Sequence, residues 1–189
     1  MSGSREKMRA ILLAFVMVTS VFGMTVAFSG TVAAGSVTVS PSDNLQNELD
    51  NLDRTDNNPD TLILEDGSYS GSGNTLTIDE TDDLTIRAAD GASPKIDAEA
   101  GDSGAAIDIT ADTQVTIENV NITGNDNTNV INANGLSGST TLTVQDSFIN
   151  VSDNDGDAGD VFAVRTNRGG AVDLQNVNIR TVDAGTSGD

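Results

Sequence analysis

VTIENVNIT (residues 115–123) alternates apolar and polar side chains up to a Glu-Asn pair, then starts the alternation again. The same pattern returns as LTVQDSFIN (142–150) and VDLQNVNIR (172–180). Leu84 precedes Val115 by 31 residues, Val115 precedes Leu142 by 27, and Leu142 precedes Val172 by 30. A recurrence of this length is the signature of stacked repeats. Each period holds about three short runs rich in Val, Ile and Thr, bounded by Gly, Asn, Asp or Ser, with no helical period between them. The spacing therefore predicts an all-β solenoid in which one repeat makes one coil. Coils then stack about 4.8 Å apart, and equivalent strands pair in parallel.

The central pair follows from this geometry. With Val115 and Ile117 pointing inward, Thr116 and Glu118 point out. For Val120 and Ile122 to face inward as well, the chain must bend and reset its alternation at Asn119. Asn and Asp tolerate the left-handed backbone of such a corner, so stacking predicts a column of Asn119, Asp146 and Asn176. The expected inward rows are Val115/Leu142/Val172, Ile117/Val144/Leu174 and Ile122/Ile149/Ile179, with Val120/Ser147/Val177 weaker at Ser147. Phe148 interrupts the polar outward row Asn121/Phe148/Asn178, and we expect it to pack against the loop 151–160.

The 189 residues suffice for one domain of ordinary size. Acids outnumber bases 29 to 9, and there is no His or Cys. Beyond the first nine residues 28 acids face 6 bases, a net charge of −22. Nucleic acid as a partner is excluded on that count, since binding it needs a basic face. High charge with few aromatics also marks disorder, but the ordered repeats favour adaptation to concentrated salt, where screening shortens to about 3 Å at 1 M. Lys95 is the one lysine beyond the leader, which fits that composition. The lack of Cys rules out disulfides and thiolate metal sites.

Residues 1–34 read as a signal peptide: a basic head MSGSREKMR, an apolar run (10–28), then small residues that place cleavage near Ala34. Residues 35–60 form a polar lead-in, in which 43–54 is expected as an amphipathic capping helix with Leu45, Leu49 and Leu52 inward. Residues 61–189 are expected to be the β-helix. The C-terminus stops at TVDAGTSGD directly after a repeat. Solenoids need capped ends, so a truncated helix, with further coils or a capping partner at that end, is the expectation.

Arg9-Ala10, Met17-Val18, Ser20-Val21-Phe22 and Ala27-Phe28-x-Gly30 resemble the signal peptides of haloarchaeal surface glycoproteins. That resemblance implies export to the cell surface or extracellular space in a high-salt environment, with no membrane contact after cleavage. Over about 60–180, the Gly67-x-Tyr69 turn, the LTIR strand (84–87) and the VTIEN coil (115–119) resemble right-handed parallel β-helix proteins of the pectin-lyase-like superfamily. The resemblance implies a right-handed parallel β-helix of about four to five coils, and that architecture hosts enzymes and inert surface proteins alike.

Lyases of that superfamily use Asp-bound Ca²⁺ and an Arg or Lys base, which makes Arg165 and Arg168 in VRTNRGG (164–170) the weak catalytic candidates. An Arg pair among carboxylates is more often a structural ion pair, and the His- and Trp-containing lyase motifs have no counterpart. Asp82-Asp83, the adjacent carboxylates nearest a strand, point to opposite faces and do not make the hydrolase pair that flanks a water. Asp153, Asp155 and Asp157 in DNDGDAGD (153–160) match the first three ligand positions of a calcium loop. The pattern then fails at Ala158 and Val164, so a solvated acidic loop competes with a Ca²⁺ site. No cofactor is expected other than this Ca²⁺. Asn121 (NIT) and Asn150 (NVS) head Asn-x-Ser/Thr triplets and are the candidate N-glycosylation acceptors, although such triplets arise often by chance in an Asn- and Thr-rich chain.

The functional expectation is an exported, non-enzymatic cell-surface protein, acting as a scaffold or as a carbohydrate- or protein-binding surface. Surface-layer proteins or polysaccharide are then its expected partners. The alternatives are a fragment of a Ca²⁺-dependent polysaccharide lyase-like or other carbohydrate-active enzyme, and a non-functional truncated remnant of a longer surface protein.

Overall fold

The computed structural model describes residues 35–52, 59–70, 75–98, 104–124, 129–138, 140–153, 162–166 and 169–183. Residues 1–34, with the expected signal peptide and its cleavage site near Ala34, and Asp155, Asp157 and Arg168 lie outside them, as does the side chain of Asp153. No helix among the described residues is long and apolar enough to cross a membrane.

The chain enters through β1 (Ser36–Val39) and a short helix α1 (Leu45–Asp50), then winds in coils of three strands. The first coil is β2 (Asp60–Leu64), β3 (Ser68–Ser70) and β4 (Leu76–Ile78). The second is β5 (Leu84–Ala88), β6 (Lys95–Asp97) and β7 (Ile107–Ile109). The third is β8 (Val115–Glu118), β9 (Asn121–Thr123) and β10 (Ile131–Asn132). The fourth is β11 (Thr141–Gln145), β12 (Phe148–Asp153) and β13 (Val164–Arg165). β14 (Ala171–Gln175) and β15 (Asn178–Asp183) begin a fifth.

Three parallel sheets result. The first runs β1-β2-β5-β8-β11-β14, the second β3-β6-β9-β12-β15 and the third β4-β7-β10-β13. This is a parallel β-solenoid of four full coils, and it buries its apolar side chains in columns. Val115 and Leu142, Ile117 and Val144, and Ile122 and Ile149 are register partners, and all six are completely buried. Burying each such side chain contributes about 2 kcal/mol. Ser147 takes its inward place beside Val120 by satisfying its hydroxyl: Oγ donates to Gln145 O at 2.7 Å and accepts from Val120 N at 3.2 Å.

The inward rows change at the last rung. Leu174 and Ile179 continue the columns of Val144 and Ile149 in register, yet they are 41% and 46% exposed. Alternation along the strand turns them inward, but no described strand lies over them.

The N-terminal end is closed. Asn44 caps α1 by accepting from Asn47 N at 2.9 Å, and the helix buries Leu45 and Leu49, while Leu52 packs against the core just beyond the helix. On its other side Gln46 holds the edge of β4 as a neighbouring strand would. Its Nε2 donates to Thr77 O at 3.2 Å and its Oε1 accepts from Thr77 N at 2.7 Å. The lead-in also supplies β1, which pairs with β2 from Ser36↔Thr61 to Val39↔Leu64. Tyr69, completely buried, places its hydroxyl 2.6 Å from Val39 O and 3.1 Å from Glu65 O, tying β1 to the first coil. Gly67 packs under Pro41 at φ +136°, a backbone conformation that suits glycine.

Candidate functional site

The corner between the first and second sheets is built from the residues of the repeated pair. Asn119, Asp146 and Asn176 adopt φ of 57°, 48° and 51°, and they are the non-glycine residues with positive φ among those described. Two of the corner N–H groups reach the next rung: Asn119 N donates to Gln145 O at 3.2 Å and Asp146 N to Gln175 O at 3.0 Å. Asn176 Nδ2 donates back to Asp146 Oδ1 at 2.6 Å. In the second coil the same corner is longer, passing through Gly91 at φ +75°. Its step against the tight Asn119 corner leaves an open polar notch of about 340 Å³ between Arg87, Asp90, Glu118 and Asn119.

Parallel register writes each outer face as columns of aligned side chains. On the first sheet one column reads Ser36, Thr61, Thr85, Thr116, Thr143 and Asp173. On the second sheet one reads Ser68, Lys95, Asn121, Phe148 and Asn178, and its neighbour Ser70, Asp97, Thr123, Asn150 and Arg180. The asparagines of both Asn-x-Ser/Thr triplets, Asn121 and Asn150, thus lie on this face, one coil apart. Asn150 sits in register with Thr123, the hydroxyl residue of the other triplet. Asn121 Nδ2 donates to Ser93 Oγ at 3.2 Å, and Lys95 Nζ pairs with Asp97 Oδ2 at 2.6 Å. Phe148 is half-buried in the same column; the loop expected to cover it begins in β12 and lies largely outside the described residues.

Arg165 lies on the third sheet, exposed, in the column Thr77, Asp108, Asn132, Arg165. Asn132 Nδ2 donates to Asp108 Oδ1 at 2.8 Å. Arg165 therefore stands in a row of polar side chains. Among the described residues no three Asp or Glu groups come together to hold a metal. Asp82 is buried and Asp83 exposed, so the two carboxylates face apart.

Carboxylates instead stitch coils together by accepting backbone N–H groups. Asp60 Oδ1 accepts from Gly35 N at 2.9 Å, Asp66 Oδ1 from Ser93 N at 3.0 Å and Asp83 Oδ1 from Gln114 N at 3.3 Å. Asp112 is the most heavily used: it accepts from Ser137 N at 2.9 Å, from Thr140 Oγ1 at 2.5 Å and from the Ser137 hydroxyl. The Ser137 and Thr140 donors hold its carboxyl below the ordinary Asp range. Composition alone missed these stitches, because an Asp in a polar loop reads the same whether it is solvated or bonded.

The chain resembles a cell surface glycoprotein of Haloarcula japonica, with 36% identity over 90 residues. The aligned part covers 42% of this chain and 10% of the relative, so the chain spans about a tenth of the length of the protein it matches. No family model matches the chain, and no solved structure matches it.

Proposed function

We propose that this is an exported cell-surface protein of a halophile, a non-enzymatic scaffold whose second-sheet face carries glycans or contacts surface polysaccharide and surface-layer proteins. The observation that carries the reading is the likeness to the haloarchaeal cell surface glycoprotein. It agrees with a leader that reads as a signal peptide and with an acid excess suited to concentrated salt. The architecture supports it too, since a solenoid offers long flat faces of repeating polar side chains. Membership of the pectin-lyase-like superfamily is part of the same proposal.

On this reading Asn121 and Asn150 are the glycan acceptors, and the glycans stand side by side on one face. Any Ca²⁺ would be held by the loop of Asp153, Asp155 and Asp157. Mass spectrometry of the protein from its native host, with its cell-surface fraction, tests the proposal. Cleavage near Ala34 and hexose additions on the peptides of Asn121 and Asn150 are expected. An intact leader in a cytoplasmic fraction, or both asparagines unmodified, would contradict it.

A further inference from the structure

Asn134 and Gly135, in the turn that follows β10, form the one Asn-Gly pair of the chain. Such a pair is chemically unstable, because glycine has no side chain to keep its nitrogen from reaching the asparagine carbonyl carbon. In an open chain the reaction needs only base and water. The Gly135 nitrogen gives up its proton and bonds to Asn134 Cγ, the Cγ–Nδ2 bond breaks, and ammonia leaves. Water then opens the five-membered imide at either carbonyl. The products are aspartate and isoaspartate, and in isoaspartate the main chain runs through the side chain and is one methylene longer.

The fold holds this pair apart. Gly135 N donates to Ile109 O of the second coil at 2.7 Å. A Cβ on Gly135 would run into the backbone of Thr110 and Ala111, so the peptide lies flush against that coil. Attack on Cγ requires the peptide plane between Asn134 and Gly135 to turn, which breaks the hydrogen bond and drives the plane into the Thr110 backbone. The chain is fixed on either side as well. Ala133 and Leu136 are completely buried, and Ala133 N donates to Arg165 O of the fourth coil at 2.7 Å.

The products do not fit the closed turn. Asn134 Oδ1 is buried with no hydrogen-bond partner among the described residues, a place where a neutral amide is tolerated and a carboxylate is costly. Isoaspartate lengthens the main chain between the two buried residues and carries Gly135 away from Ile109 O. Each coil of a solenoid is held only by its neighbours, so one junction can open while the others stay closed. We propose that Asn134-Gly135 is a fold-gated modification site: it is closed while the third coil lies on the second, deamidates when that contact opens, and then prevents the contact from re-forming.

Peptide mass spectrometry tests this on the purified chain, incubated at mildly alkaline pH either folded in molar salt or unfolded in concentrated urea. Replacement of the Asn134 amide by a carboxyl is read as a mass gain on its peptide. The folded chain should react at least ~100-fold more slowly than the unfolded one, since only its open fraction is competent. Ile107→Ala removes a completely buried side chain from β7, the strand with which β10 pairs, and is remote in sequence from the reacting residues. It should raise the rate in the folded state at least ~10-fold and leave the rate in urea unchanged. The deamidated fraction, separated by ion exchange, should unfold at a lower urea concentration than the intact chain. Similar rates in the folded and unfolded chain, a folded Ile107→Ala that reacts no faster than wild type, or a deamidated fraction as stable as the intact chain would each overturn the proposal. The wild-type comparison decides the matter even if Ile107→Ala fails to fold.

Discussion

Asn176 Nδ2 donates to Asp146 Oδ1 at 2.6 Å, one rung apart, and both residues hold left-handed backbone at φ 51° and 48°. The hydrogen bond and the backbone angle are two uses of one short side chain. It relieves the corner and ties it to the next coil.

The backbone part of that role is separable at Asn119. A β-branched side chain is disfavoured in the left-handed region, so Asn119→Val should destabilise by about 1–2 kcal/mol. Asn119→Gly, which accepts φ 57° without strain, should fall within a few tenths of that for wild type or slightly below it. Equal losses in urea titrations of the two variants would show that the corner does not demand the left-handed conformation.

One inward column contains a second contrast. Ile117 is completely buried, and Leu174, two rungs further along the same column, is 41% exposed. Ile117→Ala should cost about 2–5 kcal/mol through lost burial and a residual cavity. Leu174→Ala should cost less than about 1 kcal/mol, for want of a described strand above it. Chemical unfolding at low salt compares them directly.

Asp112 makes stability depend on acid. Its folded pKa lies below the ordinary value of 3.8, because Ser137 and Thr140 donate to the charged form. The stabilisation is therefore full above about pH 4 and is lost as pH falls through the lowered pKa. Asp112→Asn should be less stable than wild type at pH 6, and the gap should narrow as pH falls below the ordinary value of 3.8 and through the lowered pKa. A gap that stays constant from pH 6 to pH 2.5 would remove the carboxylate from the account.

Tyr69 acts at the other extreme. Burial pushes its hydroxyl up to about 12 from 10.0. A raised folded pKa gives stability that is full below pH 10 and is lost as pH rises through about 12. Wild type should weaken steeply over that window, and Tyr69→Phe should not show that step. At neutral pH the variant should already be about 1 kcal/mol less stable, having lost the bond to Val39 O. Parallel alkaline profiles would contradict this.

The pattern repeated at 115, 142 and 172 made the solenoid legible, because a recurrence of inward pairs at 27 and 30 residues has few other solutions. Leu45 and Leu49 gave away the capping helix by their spacing. Strand β1 was harder to see: SVTV is short and is separated from its partner by the helix, so no period announces it. Gln46 was invisible for a different reason. Nothing in a glutamine on a helix surface tells that its amide will stand in for a strand, since that role depends on where the edge of β4 lies. The exposure of Leu174 and Ile179 was equally hidden, because alternation reports which side a residue faces and not whether another coil lies on top.

The rung-by-rung stack is the claim on which the rest stands, and distances between spin labels on one outer column test it most directly. Ser36, Thr116, Thr143 and Asp173 belong to the column of the first sheet, at three, four and five rungs from Ser36. Cysteines introduced pairwise with Ser36→Cys should give Cα separations of about 14, 19 and 24 Å, rising by ~4.8 Å per rung. Separations that do not grow in even steps with rung number, as an antiparallel sandwich would give, would contradict the solenoid.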